Sequence, residues 1–150
     1  MGLRTNIRKY LYRIKFEKNV ADLHLTNNTI LVTGGNSGIG LALTKKLLDL
    51  KNNVIATYKK DSSNLKSINS DRLVILKYDS RDIKDSNDFE EKIKDINLDI
   101  IINCAGVFGP PSQNIEELDF EKFKEVLMVN SLSILKIIQI ILKQGKKLKF

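Results

Sequence analysis

Cysteine and histidine occur once each in this 150-residue chain, and each scarcity closes off a class of site. With Cys104 alone there is no disulfide framework within the chain, and a reducing, cytoplasmic setting is the easier reading. His24 has no Cys/His cluster around it, so no metal centre is expected. No apolar run approaches the roughly 20 residues of a membrane span. A basic domain is also missing, although the net charge is +7. Residues 1–28 carry six Lys/Arg against two acids, and residues 141–150 carry four Lys and no acid. Between them stand 15 basic and 16 acidic residues. Nucleic-acid binding usually needs a basic face on the folded domain. Here the basicity lies at the two ends, and no nucleic-acid partner is expected.

What is present is one glycine-rich stretch, Thr29-Ile30-Leu31-Val32-Thr33-Gly34-Gly35-Asn36-Ser37-Gly38-Ile39-Gly40. A run of β-formers enters the turn, and a helical pattern (Leu41, Ala42, Leu43, Leu47, Leu48) leaves it. A helix N-terminus after such a turn offers unpaired N–H groups and positive potential to an anion. Glycine allows φ > 0 and lets a pyrophosphate approach the backbone. The spacing Gly34-x3-Gly38-x-Gly40 differs from the G-x-G-x-x-G fingerprint. By itself it also fits a strand-to-helix turn that binds nothing.

The length fits one domain. Residues 1–28 read as a basic extension. Within it Leu3, Ile7, Tyr10, Leu11 and Ile14 recur at helical spacing among Arg4, Arg8, Arg13 and Lys18, which predicts an amphipathic N-terminal helix. Such a helix fits a membrane surface or docking on the domain or a partner. Docking is favoured, because the stripe is short and lacks the apolar core of a secretory signal.

Beyond it, residues 29–150 alternate strand and helix. Val54–Tyr58, Leu73–Tyr78 and Leu98–Asn103 read as the second to fourth strands. Helices are expected from the glycine turn to about Leu50, weakly after Asn64, through about 82–95, and from Asp119 to about Gly145. Such alternation predicts right-handed βαβ crossovers and a doubly wound parallel sheet covered on both faces. Ligands sit beyond the carboxyl ends of such strands. The glycine turn, Tyr58-Lys59, Asp79-Ser80 and Asn103 to Gly106 all fall there.

Thr33-Gly34-x3-Gly38-Ile39-Gly40, Asp79 ending the third strand, Asn103-Cys104-Ala105-Gly106 and Val129-Asn130 in a long helix resemble, in this order, the short-chain dehydrogenase/reductase family. Within it, Ala105-Gly106-Val107-Phe108-Gly109-Pro110 is similar to the C-factor-like carbonyl reductases. One departure is Cys104, where the family pattern has a second Asn. The resemblance implies a Rossmann-like sheet in strand order 3-2-1-4 and a nicotinamide dinucleotide. Thr33, Gly34 and the backbone from Asn36 through Ser37, Gly38 and Ile39 to Gly40 would cradle the pyrophosphate. Asp79, with Ser80 beside it, would accept from the adenine amino group, and Asn103, Ala105 and Gly106 would line the ribose side.

An acid after the second strand would bind a ribose 2′-OH and repel a 2′-phosphate. Here Tyr58 is followed by Lys59 and Lys60, which favours NADP(H), although a solvated basic loop would look the same. The family's activity also needs a Ser and a Tyr-x-x-x-Lys pair beyond the helix Asn. The tyrosines stand at 10, 12, 58 and 78, and none is followed by Lys four places on. Of the catalytic set only Asn130 remains.

Lys146 to Phe150 resembles the lead-in to a fifth strand. The chain is therefore expected to be the front half of an NADP(H)-dependent carbonyl/alcohol oxidoreductase. It would then be inactive alone and prone to self-association through helix 119–144, whose face of Leu127, Ile134, Ile137, Ile138 and Ile141 would lack its usual cover. The alternatives are a non-catalytic NADP(H)-binding or regulatory module, and an interaction or membrane-surface protein acting through residues 1–20.

Overall fold

The computed structural model describes residues 25–82, 87–112 and 114–145. The amphipathic segment 1–20, the expected helix start near Ile83 and the strand lead-in at 146–150 lie outside the described residues. Four short apolar runs pair side by side as β1 (Thr29–Thr33), β2 (Asn53–Tyr58), β3 (Leu73–Lys77) and β4 (Ile100–Asn103). Every pairing is parallel, in the order β3-β2-β1-β4, with Leu31 opposite Ile55 and Ile101. This is the Rossmann-like arrangement. β4 starts two residues later than its apolar pattern suggests, because Asp99 caps the start of β1 instead: its carboxylate accepts from the Thr29 N–H at 2.8 Å.

The strands are apolar at successive positions because successive side chains serve opposite faces. Ile30, Val32, Val54 and Ala56 join one buried layer with Leu47 of α1 (Gly38–Asp49) and Leu65 of α2 (Ser63–Lys66). Leu31, Ile55, Leu76 and Tyr78 join the other. Phe89 and Ile93 of α3 (Asn87–Ile93) cover that second layer, together with Ile137, Ile140 and Ile141. Two covered faces place the free carboxyl ends of the strands along one edge, where the connecting loops gather.

The long helix is continuous but not uniform. It runs as α4 (Phe120–Leu127), a π-helical turn (Met128–Leu132) and α5 (Ser133–Lys143). Asp119 opens it, accepting from the Glu121 and Lys122 N–H groups at 3.1 Å each. Those amides hold its carboxyl below the ordinary carboxylate value.

The π turn changes which residues share a face, and two sequence expectations need correction. Ile137 and Ile141 are fully buried against the sheet and Ile134 packs beside them, so they belong to no uncovered stripe. The exposed apolar residues of this helix are Phe120, Phe123, Leu127, Leu132, Leu135 and Leu142. Second, Phe120–Lys143 is long and apolar enough to cross a membrane by length and composition, with mean hydropathy 1.8 over its most apolar window. Its inner face is spent on the sheet.

Candidate functional site

At the carboxyl edge the four strand ends surround a cleft of about 350 Å³. Its floor and one wall are the glycine turn. Gly34 takes φ +63°, and a Cβ there would stand 3.0 Å from the backbone N and Cα of Ala105. A side chain would force the turn away from the end of β4. At Gly40 the reason is purely steric, since a Cβ would lie 2.3 Å from the Gly34 carbonyl oxygen. Gly38, at φ +50°, has nothing within 4 Å of that position and faces open space.

α1 begins at this opening without a side-chain cap. The Ser37 hydroxyl makes no capping bond, and no acid stands in the first turn. The leading N–H groups of a helix have no intrahelical partner, so an uncapped start directed at a cleft suits an anion. The residues present fit the implied diphosphate: the first turn of α1 carries no acid, and Gly34, Gly38 and Gly40 keep side chains out of the turn at those positions.

Thr33 acts one layer below. Its buried hydroxyl donates to Asn103 Oδ1 at 2.5 Å and accepts from the Cys104 and Ala105 N–H groups at 3.1 Å. Thr33 and Asn103 therefore do not line the cleft; they tie the end of β1 to the end of β4. Thr57 braces the turn from β2, accepting from the Gly34 N–H at its hydroxyl (3.1 Å) and from the Gly35 N–H at its carbonyl (2.8 Å).

Asn130 also lies outside the lining. From the π turn its side chain grips the backbone of Val107, accepting from the N–H at 2.9 Å and donating to the carbonyl at 3.1 Å. The π turn has an identifiable cause in this amide and in the buried Ser133 hydroxyl, which bonds back to the Val129 carbonyl at 2.7 Å.

Of the residues singled out from the sequence, Gly34, Asn36, Ser37, Gly38, Ile39, Gly40, Tyr58, Lys59, Asp79, Ser80, Ala105 and Gly106 meet in the cleft. Sequence reading missed Thr57, Tyr78, Arg81, Val107 and Val129 as lining residues, and Cys104, noted only as a departure, joins them. Arg81 alone carried a signal, as a cation two places after the strand-terminal acid.

The charges are arranged in pairs. Lys59 Nζ stands 3.8 Å from Asp79 Oδ2, and Arg81 Nε bonds Glu125 Oε1 at 2.5 Å, strapping the loop after β3 to α4. Asp79 Oδ1 accepts from the Arg81 N–H at 3.0 Å. Burial first, and the nearby Asp79 charge second, push the Tyr78 phenol up to about 12. Its hydroxyl is buried without a hydrogen-bond partner. Burial also pushes the Cys104 thiol up, which lowers its thiolate fraction. Among the described residues no group of three His, Cys, Asp or Glu side chains could hold a metal ion.

Comparison with known proteins agrees with this geometry. The family model for short chain dehydrogenases matches residues 28–148. The uncharacterized oxidoreductase DltE of Bacillus subtilis is 33% identical over 115 residues, covering 72% of this chain and 41% of that protein. A short-chain dehydrogenase/reductase from Burkholderia multivorans, solved with bound NADP, superposes with TM-score 0.69 at 24% identity, over 79% of this chain and 54% of that one. A carbonyl reductase from Pseudomonas aeruginosa gives TM-score 0.70 at 23% identity, over 78% and 56%. The chain thus spans about half the length of the proteins it matches. By its sheet, its glycine turn and this match along most of its length, the chain belongs to the short-chain dehydrogenase family.

Proposed function

We propose that these 150 residues are the cofactor-binding half of an NADP(H)-dependent oxidoreductase acting on carbonyl or alcohol groups in a cytoplasmic setting. The observation that carries the cofactor choice is the end of β2. Tyr58, Lys59 and Lys60 place no acid there, and Lys59 reaches the cleft beside Asp79. A cation at this point accepts a 2′-phosphate, whereas an acid would repel it. The NADP bound by the Burkholderia multivorans relative supports the same choice.

In this reading the α1 N-terminus and the turn from Asn36 to Gly40 hold the diphosphate. Asp79 accepts from the adenine amino group with Ser80 beside it, and Ala105 and Gly106 flank the ribose. Thr33, Asn103 and Asn130 hold those loops in place. A bound nicotinamide would supply or accept the hydride. The proton must come from groups outside these residues, since no Tyr-x-x-x-Lys occurs among them. That same feature favours the second reading, a non-catalytic NADP(H)-binding module.

The part that supplies the proton donor would extend the sheet at β4, whose Ile100, Ile101 and Ile102 are only half covered at the outer edge. Self-association through the exposed apolar residues of the long helix belongs to the same reading.

The test is a fluorescence titration of the folded chain with NADPH and NADH. NADPH should bind more tightly, and Lys59→Ala should weaken it on the order of tenfold, the worth of a hydrogen bond to a charged group, while changing NADH less than about threefold. Equal affinity for both cofactors in the unaltered chain would remove the NADP(H) assignment.

A further inference from the structure

The loop that carries Lys59 and Lys60 is joined to the glycine turn by the side chains of Asn64 and Asn36. Asn64 Nδ2 donates to the Asn36 carbonyl at 3.1 Å, and Asn36 Nδ2 donates back to the Asp61 carbonyl at 3.3 Å. These two bonds cross between segments more than 20 residues apart and run in opposite directions. Below them the loop is anchored, since Leu65 is fully buried in the apolar layer and Ser62 is nearly so. The loop's one acid is turned aside. Asp61 Oδ2 accepts from the Ser63 hydroxyl at 2.6 Å and Oδ1 from the Ser63 N–H at 3.0 Å.

We propose that Asn64 is a positioning residue for 2′-phosphate recognition: through Asn36 it fixes the lysine-bearing loop at a set distance from the glycine turn. The inference rests on the NADP(H) reading above. An adenosine diphosphate that carries a 2′-phosphate has anionic groups at both ends of one ribose. A site that grips both ends depends on the spacing of its two loops, and a misplaced cation loses most of its advantage. A nucleotide without the 2′-phosphate uses only the glycine-turn end and is indifferent to that spacing. Asn64 therefore acts on selectivity, not on nucleotide binding as such.

The experiment compares 2′,5′-ADP with 5′-AMP on the full chain by calorimetry, alongside Asn64→Ala and Asn64→Leu. Both variants remove the donor at an exposed position of the short helix α2, and the second keeps the side chain's size. The unaltered chain should prefer 2′,5′-ADP. Each variant should lose that preference on the order of fivefold, the worth of one neutral hydrogen bond, with 5′-AMP affinity unchanged within about twofold.

A preference retained in both variants, or an equal loss for both ligands, overturns the positioning role alone and leaves the cofactor reading standing. No preference in the unaltered chain overturns both. Thermal melts of the variants accompany the titrations, so that a general loss of folding registers as the equal-loss outcome.

Discussion

Tyr78 combines two features that are costly in a folded protein: a phenol pushed up to about 12 and a buried hydroxyl with no partner. The raised value means that the fold favours the neutral phenol. The stability it confers is fully present below the unfolded value of about 10 and is lost as pH rises from there through about 12. Tyr78→Phe removes both features. Urea denaturation should show the variant equal to the parent at pH 7 or more stable by up to about 1 kcal/mol, the cost of an unsatisfied hydroxyl. It should also lose less stability than the parent between pH 10 and 12.

Residue-level legibility follows the range of the interaction. Gly34 and Gly38 were visible because each needs a positive backbone angle within the turn, while the approach of Ala105 to Gly34 was not. Thr33 and Asn103 were identified as cofactor contacts, but their bond to each other joins positions 70 apart and needs the β1–β4 pairing to exist first. Tyr78 sat in an ordinary apolar strand, and nothing local says that its ring packs 4.7 Å from Phe89.

The long helix shows what a single irregular turn does to an element. A stripe read at uniform helical spacing groups Leu127 with Ile134, Ile137 and Ile141. The π turn at Met128–Leu132 takes up one extra residue, which rotates everything after it by about 100° relative to an uninterrupted helix. Leu127 then shares a side with Leu135 and Leu142, eight and fifteen positions on. These three are 45%, 59% and 57% exposed, whereas Ile137 and Ile141 are fully buried. The turn is held by the Asn130 bonds to Val107 and the Ser133 bond to Val129, and the first is a contact the spacing of the helix itself does not encode.

The consequence is measurable. Ile137→Ala should cost about 2–5 kcal/mol in denaturant unfolding, the range for a buried aliphatic truncation. Leu135→Ala, two residues earlier, should stay within about 0.5 kcal/mol. Equal costs would mean that the helix packs in the unshifted register.

At the scale of the whole molecule the parallel sheet and the gathering of four strand ends were legible, because alternation of strand and helix leaves few topologies, whereas the strand order came from the family resemblance. The distribution of exposed apolar surface was not, since it depends on how one helix seats on the sheet. The exposed stripe from Phe120 to Leu142 and the half-covered outer strand β4 together predict concentration-dependent self-association. Sedimentation velocity should show the average mass rising with concentration. Leu135→Lys combined with Leu142→Lys should shift the chain toward monomer, and a clean monomer for the unaltered chain at high concentration would refute this.

In the function proposed above, the cleft at the strand ends binds a phosphorylated nicotinamide dinucleotide. An amide chemical-shift titration with NADPH on the isotope-labelled chain tests it most directly. The predicted result is a set of saturable shifts concentrated at Gly34 to Gly40, Tyr58 to Lys59, Asp79 to Arg81 and Ala105 to Val107. No saturable shifts on a folded sample, or shifts confined to the separate hollow between Lys45 and Ser70, would contradict the account.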